Sequence, residues 1–149
     1  YRDSIVTESW EGTHNTLCAQ VLRDFATRGL HRFWLAEVRD TLAALEHPAV
    51  LEHKERAEKL WADTKKRIGR LLASDARQAS LHIRGVVDRM CKLNSYVSLL
   101  AFLDADQQQA KTDAQATLPA ICELYYREVI CGQEPQDHPD LPELYQRAF

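Results

Sequence analysis

The sequence predicts an all-α fold, an up-and-down bundle of four to five helices. Apolar residues recur at intervals of three and four along most of the 149 residues, which is the helical period. Runs of strand length with strict alternation and flanking turn residues are missing, and only five glycines and five prolines interrupt the pattern. Amphipathic helices of this length bury their apolar faces by packing together as a bundle.

The first predicted helix begins near Thr13, a favourable N-cap, and ends at Gly29, where glycine permits a left-handed C-cap. Its expected core face is Leu17, Val21 and Phe25, with Cys18 and Leu22 beside it. A second helix covers about 31–45. It ends at His47-Pro48, because the residue before a proline avoids the α region.

The third predicted helix covers about 49–72, and Ser74-Asp75 separates it from a fourth over about 76–103. Asn94 interrupts the apolar face of the fourth helix. Because a buried Asn needs hydrogen-bond partners, it either sets the helix register or faces a wet seam. The expected core faces of these two helices are Leu60, Trp61, Thr64, Ile68 and Leu71, followed by Ala79, Ile83, Val86, Met90, Val97 and Leu100.

The fifth predicted helix covers about 107–131, with a kink at Pro119 and an end at Gly132. The proline-containing tail over 133–149 is expected to form a short helix docked on the bundle. The chain therefore divides into a loop over 1–13, a helical bundle over 14–132 and this tail.

The charge is unevenly distributed, although the net charge is only −3. Residues 52–92 contain eleven Lys and Arg against six Asp and Glu, a local excess of +5. Such a block could attract phosphate or nucleic acid. The simpler interpretation is a solvated helix surface with interspersed charges of both signs.

Four cysteines occur without a C-x-x-C pair, so zinc and redox motifs are not supported. We expect them to be small, buried hydrophobic residues with free thiols, in a reducing compartment such as the cytoplasm or, in a eukaryote, the mitochondrial matrix. His47 and His53 do not share a helical face and are expected at the surface, as is His82, so no metal site is predicted. No apolar run approaches the roughly 20 residues that a membrane span needs.

The segment over 2–15 differs from the rest, because it has no helical stripe and places an aromatic residue, a carboxylate and a glycine directly before a helix. Glycine lets a ligand approach the backbone closely, and free N–H groups at a helix start favour an anion. A carboxylate beside an aromatic ring in an apolar cleft can act as a base near neutral pH.

These residues resemble a segment of the acyl-CoA dehydrogenases, in which Arg-Asp is followed by an aromatic residue and Glu-Gly-Thr, and then by Asn or Gln. The matching residues are Arg2-Asp3, Trp10-Glu11-Gly12-Thr13 and Asn15, without a gap. Trp at position 10 instead of Tyr resembles the bacterial branch that includes the alkylation-response flavoproteins. The helical remainder is similar to the C-terminal bundle of that family.

The resemblance implies that Glu11 is the base that removes the α-proton of an acyl-CoA thioester while FAD accepts the β-hydride. It places Trp10 and Gly12 between flavin and thioester, and Thr13 and Asn15 near the FAD phosphates or adenosine. The implied partners are the acyl-CoA substrate, the N-terminal helical and β-domains of the same enzyme, and further copies in a homo-oligomer. The isolated chain is then expected to fold without holding FAD tightly.

Two alternatives remain open at this point. Without the resemblance, a Glu before Gly-Thr at a helix start is usually only a favourable charge for the helix dipole. The helices after Gly29 extend beyond the usual family ending, so the chain could also be an oligomerisation module or a nucleic-acid-associated module of a catalytically divergent relative.

Overall fold

The computed structural model of the protein describes residues 11–109, 117–134 and 139–148. Within these ranges the chain forms six α-helices and no β-strand, which confirms the predicted all-α bundle. The helices are α1 (Glu11–Arg28), α2 (Leu30–Ala44), α3 (Leu51–Ala73), α4 (Ala76–Gln109), α5 (Thr117–Leu124) and α6 (Leu141–Ala148). A 3₁₀ turn at Pro48–Val50 precedes α3, and a π-helical segment at Tyr125–Ile130 continues α5.

Several predicted helix ends are confirmed, and each has a local physical cause. Gly29 and Gly132 have φ angles of 65° and 68°, a left-handed conformation that glycine adopts without a steric cost. The side chain of Asp75 accepts a hydrogen bond from the backbone N–H of Gln78 at 2.9 Å, so it caps the start of α4. Pro48 begins the 3₁₀ turn, where its missing N–H is not needed.

Other predicted boundaries are wrong. Helix α1 already includes Glu11, so Thr13 lies inside the helix instead of capping it. Helix α4 continues to Gln109, and residues 107–109 therefore belong to α4 and not to the next helix. The described part of α5 begins at Thr117 and includes Pro119. The kink expected there depends on the residues directly before 117, which lie outside the described residues, so it stays a prediction.

A long-range contact accounts for the continuation of α4 beyond its predicted end near Leu103. Asp104 is buried and accepts hydrogen bonds from the backbone N–H groups of Glu46 and His47, at 3.0 and 2.8 Å. This carboxylate ties the last turns of α4 to the loop after α2. In the sequence alone, Asp104 and the polar residues after it resemble the end of a helix.

Two clusters of buried side chains form most of the core. The larger joins α2, the 3₁₀ turn, α3, α4 and α5, and its members include Val38, Leu42, Val50, Ala57, Leu93, Tyr96, Leu100 and Cys122. The smaller joins α1 to α3 and α4 through Cys18, Phe25, Ile68, Leu71, Ala79, Ile83 and Val86. Trp34 packs against both clusters. Helix α6 packs on α5 through Ala120, Leu124 and Ala148.

The predicted core faces of α3 and α4 largely match the buried residues, and in α1 Phe25 is buried as predicted while Leu17 is not. Leu17 is 59% exposed, and Cys18 takes the core position instead. Asn94 is exposed, so it does not set register through buried hydrogen bonds. Cys91 and Cys131 are exposed, contrary to the expectation of four buried cysteines, while Cys18 and Cys122 are buried.

No helix in the described part of the chain combines the length and the apolar character that crossing a membrane requires.

Candidate functional site

The segment that suggested chemistry lies at the start of α1. Glu11, Gly12 and Thr13 form the first residues of this helix, and only their backbone is described. Trp10, like Arg2 and Asp3, lies outside the described residues. The structure therefore places the Glu-Gly-Thr sequence in the first turn of the described part of α1. The relative positions of these site side chains stay a prediction.

The beginning of α1 is open to its surroundings. Asn15 is exposed, and Leu17 one half-turn further is 59% exposed. Two more large apolar side chains are exposed at the start of α2, Leu30 at 41% and Phe33 at 72%. The start of α1 thus presents an exposed polar and an exposed apolar side chain, whereas Leu30 and Phe33 lie beyond the other end of this helix.

A polar cluster that the sequence patterns did not reveal lies in the larger core. His53 on α3 is 8% exposed and Tyr96 on α4 is 0% exposed. Their side chains share a hydrogen bond of 2.7 Å between Nδ1 of His53 and the Tyr96 hydroxyl. The prediction of a surface position for His53 is therefore wrong. A signal was present, because His53 precedes Ala57 by four residues and Leu60 by seven, on the buried face of α3.

Glu123 connects this cluster to two arginines. Its carboxylate accepts hydrogen bonds from Arg56 Nη1 at 2.5 Å and from Arg127 Nε at 2.6 Å. Burial opposes the charge on Glu123, but these bonds outweigh burial and hold the pKa of the carboxyl below its usual value. Nε2 of His53 lies 3.9 Å from the same carboxylate. Arg127 also pairs with Asp140 at 2.7 Å, which ties in the segment before α6.

Aromatic rings close the other side of the cluster. The Tyr96 ring stacks on Tyr125 with centroids 6.0 Å apart and lies 5.7 Å from the ring of Tyr126. The Arg56 guanidinium lies 4.6 Å from the centroid of Tyr126, a distance that permits a cation–π contact. The π-helical geometry, with the Cys131 N–H donating to the Tyr126 carbonyl at 2.9 Å, brings both tyrosines of the pair to this cluster.

This cluster has the residue types of acid–base chemistry but not the access. A general acid or base must come within hydrogen-bond reach of a substrate, whereas Tyr96 is fully enclosed and burial raises the pKa of its hydroxyl. Burial also raises the pKa of the neighbouring Cys122 thiol to about 12. We therefore interpret the cluster as a structural network that joins α3, α4, α5 and the π-helical segment.

The buried imidazole makes the stability depend on pH. Burial lowers the pKa of His53, with Glu123 acting in the opposite direction. In the unfolded chain the pKa is about 6.5, so below that pH the unfolded state binds a proton that the folded state excludes. The contribution of His53 to the free energy of unfolding is therefore fully present above about pH 6.5. It decreases as the pH falls toward the pKa of His53 in the folded state. His53→Gln is expected to flatten this decrease by up to about 1.4 kcal/mol per pH unit.

Urea unfolding between about pH 7 and pH 5 measures this effect. His82→Gln is the matched control, because His82 is exposed on α4 and its removal leaves the core unchanged. The free energy of unfolding of His53→Gln is still expected to depend on pH to some extent, since burial also lowers the pKa of His31. If the free energy of unfolding changed equally with pH in the wild type and in His53→Gln, the assignment of this effect to His53 would be wrong.

The expectation about metal ligands concerns His47 and His53. They have separate roles, since His47 Nδ1 accepts a hydrogen bond from the Ala49 N–H at 3.2 Å and His53 is bonded to Tyr96. Across the residues with described positions, no group of three or more His, Cys, Asp and Glu side chains is arranged to hold a metal ion.

No protein-family model matches the chain, and neither a curated protein nor a solved structure matches it. The fold class, an all-α bundle, and the position of the Glu-Gly-Thr sequence at the start of α1 are the observations from which a function is inferred.

Proposed function

We propose that the chain is the C-terminal helical domain of an acyl-CoA dehydrogenase-like flavoprotein, which oxidises the Cα–Cβ bond of an acyl-CoA thioester. The observation that carries the proposal is the run Trp10-Glu11-Gly12-Thr13-His14-Asn15 at the start of a helix of an all-α bundle. The same residues resemble the catalytic segment of that family in type and in spacing.

In this proposal Glu11 removes the α-proton of the thioester. When bound, FAD would supply the acceptor for the hydride from Cβ, so that the product would be a 2-enoyl-CoA. The chain supplies the base and its position, which are the contributions that a protein makes to flavin chemistry. Gly12, without a side chain, leaves room for flavin and thioester to approach the backbone beside the base.

The residues present suit a flavin nucleotide in two respects. The described part of α1 begins at Glu11, and N–H groups at a helix start favour a phosphate or another anion. Asn15 is exposed one turn further along the helix, so its amide is accessible to a ribose or a phosphate oxygen. Thr13 and Asn15 are accordingly the proposed cofactor contacts, together with Trp10 and Gly12.

An exposed apolar side chain near this helix start supports a site that is completed by other domains. Leu17, six residues beyond Glu11, is 59% exposed and is therefore available for a contact with another domain. The N-terminal helical and β-domains of the same polypeptide, or a second copy of it, are the proposed occupants. The oligomerisation and nucleic-acid alternatives stay predictions.

The proposal is tested on the full-length protein that contains this chain. After purification it is expected to carry FAD, and an acyl-CoA of suitable chain length added without oxygen is expected to bleach the absorbance of the oxidised flavin. The isolated chain of 149 residues serves as the comparison and is expected to fold without retaining FAD. A full-length protein without flavin, or one whose flavin no acyl-CoA reduces, would overturn the proposal.

A further inference from the structure

A groove with a basic lining runs between the last turns of α3 and the first half of α4. Its volume is about 500 Å³, and Arg67 and Arg70 line it from α3 while His82 and Arg89 line it from α4. These positions lie on the facing sides of two antiparallel helices that the Ser74-Asp75 turn connects. The groove is separate from the start of α1 and from the buried His53 cluster.

The charged side chains at this groove are paired in part, and the pairing leaves an excess of positive charge. Arg67 Nε and Arg89 Nη2 both contact one oxygen of Asp63, at 2.8 and 2.7 Å. One carboxylate therefore holds two guanidinium groups side by side. Arg70 makes no salt bridge with any described residue, so the three arginines and Asp63 together carry a net charge of +2.

Two further observations point to a ligand. The Nε atom of Arg89 is buried and has no hydrogen-bond partner in the described part of the chain. The residues that line the groove include no carboxylate. Asp75 is engaged as the cap of α4, and Asp88 lines an adjacent groove together with Lys92.

The floor of the groove is apolar and open. Leu71 and Val86 line it, together with Gly85, which has no side chain. A Cβ atom added at Gly85 would meet no atom within 4 Å. The groove thus combines guanidinium donors, which match the geometry of phosphate oxygens, with a surface that a carbon skeleton can cover.

We infer that the groove between α3 and α4 binds a small organic phosphate. The phosphate group contacts Arg67, Arg70 and Arg89, and the carbon part of the ligand lies over Leu71, Val86 and Gly85. This site is independent of the proposed flavin chemistry, since it uses neither Glu11 nor any residue of α1.

The test is a titration of the chain with phenyl phosphate and, separately, with inorganic phosphate, followed by amide chemical shifts and calorimetry. Phenyl phosphate is expected to bind more tightly than inorganic phosphate, because its ring covers the apolar floor. The resonances of Gly85 and of the residues next to Arg70 and Arg89 are expected to shift.

Two pairs of variants locate the site. Arg70→Gln is expected to weaken phenyl phosphate binding by about tenfold or more, the loss expected for a charged hydrogen bond. Arg77→Gln is its control, because Arg77 is exposed on α4 and is not a lining residue. Gly85→Leu is expected to fill the groove and abolish binding. Gly69→Leu is its control, since Gly69 is also surrounded by open space but lies outside the groove.

Circular dichroism of each variant shows whether the helices persist. If a leucine variant does not fold, the comparison of Arg70→Gln with Arg77→Gln decides the test. Undetectable binding of phenyl phosphate would overturn the inference, as would equal weakening by Arg70→Gln and Arg77→Gln. A duplex oligonucleotide that binds the chain while phenyl phosphate does not would assign the basic surface to nucleic acid instead, with a strong dependence on salt.

Discussion

Under the proposed function, Glu11→Gln in the full-length protein is expected to slow exchange of the α-proton of a bound acyl-CoA by about 10²–10⁴-fold, the usual contribution of a positioned general base. The amide has nearly the shape of the carboxylate but cannot accept the proton. Flavin binding is expected to persist, because the proposed contacts of FAD are to Trp10, Gly12, Thr13 and Asn15. The loss should therefore appear in the proton transfer and not in cofactor content.

The measurement is the incorporation of deuterium from solvent into a saturated acyl-CoA, with the flavin content determined on the same sample. Glu8→Gln is the matched control, since it removes a carboxylate three residues earlier that does not belong to the Trp-Glu-Gly-Thr sequence. Exchange at the wild-type rate in Glu11→Gln would show that another residue is the base. An equal loss in both variants would indicate an effect of local charge.

Tyr96→Ala is expected to destabilise the folded chain by about 3–5 kcal/mol, as is typical when a large buried aromatic residue is truncated. Tyr96 is 0% exposed, and its ring contacts both Tyr125 and Tyr126. Truncation would leave a cavity between α3, α4 and the π-helical segment, and it would also remove the partner of His53.

Tyr96→Phe separates the two contributions. It keeps the ring and removes only the hydroxyl, so the expected loss of about 1–3 kcal/mol measures the unpaired, buried imidazole nitrogen. Leu81→Ala is the control, because Leu81 is 66% exposed and its truncation should change stability by no more than about 0.5 kcal/mol. Urea unfolding of all three variants provides the free energies. If Tyr96→Ala cost no more than Leu81→Ala, the assignment of Tyr96 to the core would be wrong.

The helices could be predicted from the sequence where the apolar period is regular and the ends carry specific residues. The core face of α3, from Thr64 through Ile68 to Leu71, is buried as predicted. Gly29 ends α1, and Asp75 begins α4, as their conformational and capping preferences require. The continuation of α4 past Leu103 could not be predicted, because the contact of Asp104 with Glu46 and His47 spans 58 and 57 residues.

The candidate sites also differ in how much of each is visible in the sequence. The Glu-Gly-Thr sequence is a local pattern, and the order of the residues along the chain is enough to recognise it. The pairing of Arg67 and Arg89 on Asp63 cannot be recognised in this way, since Arg67 and Arg89 lie on different helices. The basic block over 52–92 indicated an excess of charge, but only the antiparallel packing of α3 on α4 arranges part of it around a groove.

The sequence by itself determined the helical class and several helix ends, and it pointed to the segment around Glu11 as a candidate site, because helical period, capping and short motifs depend on residues within a few positions of one another. Tertiary structure alone decided that Cys18 and not Leu17 faces the core, that His53 is enclosed with Tyr96 and Glu123, and that three arginines share a groove. The physical reason is that burial and ionic pairing depend on which helix faces lie against each other. That arrangement is a property of the whole bundle.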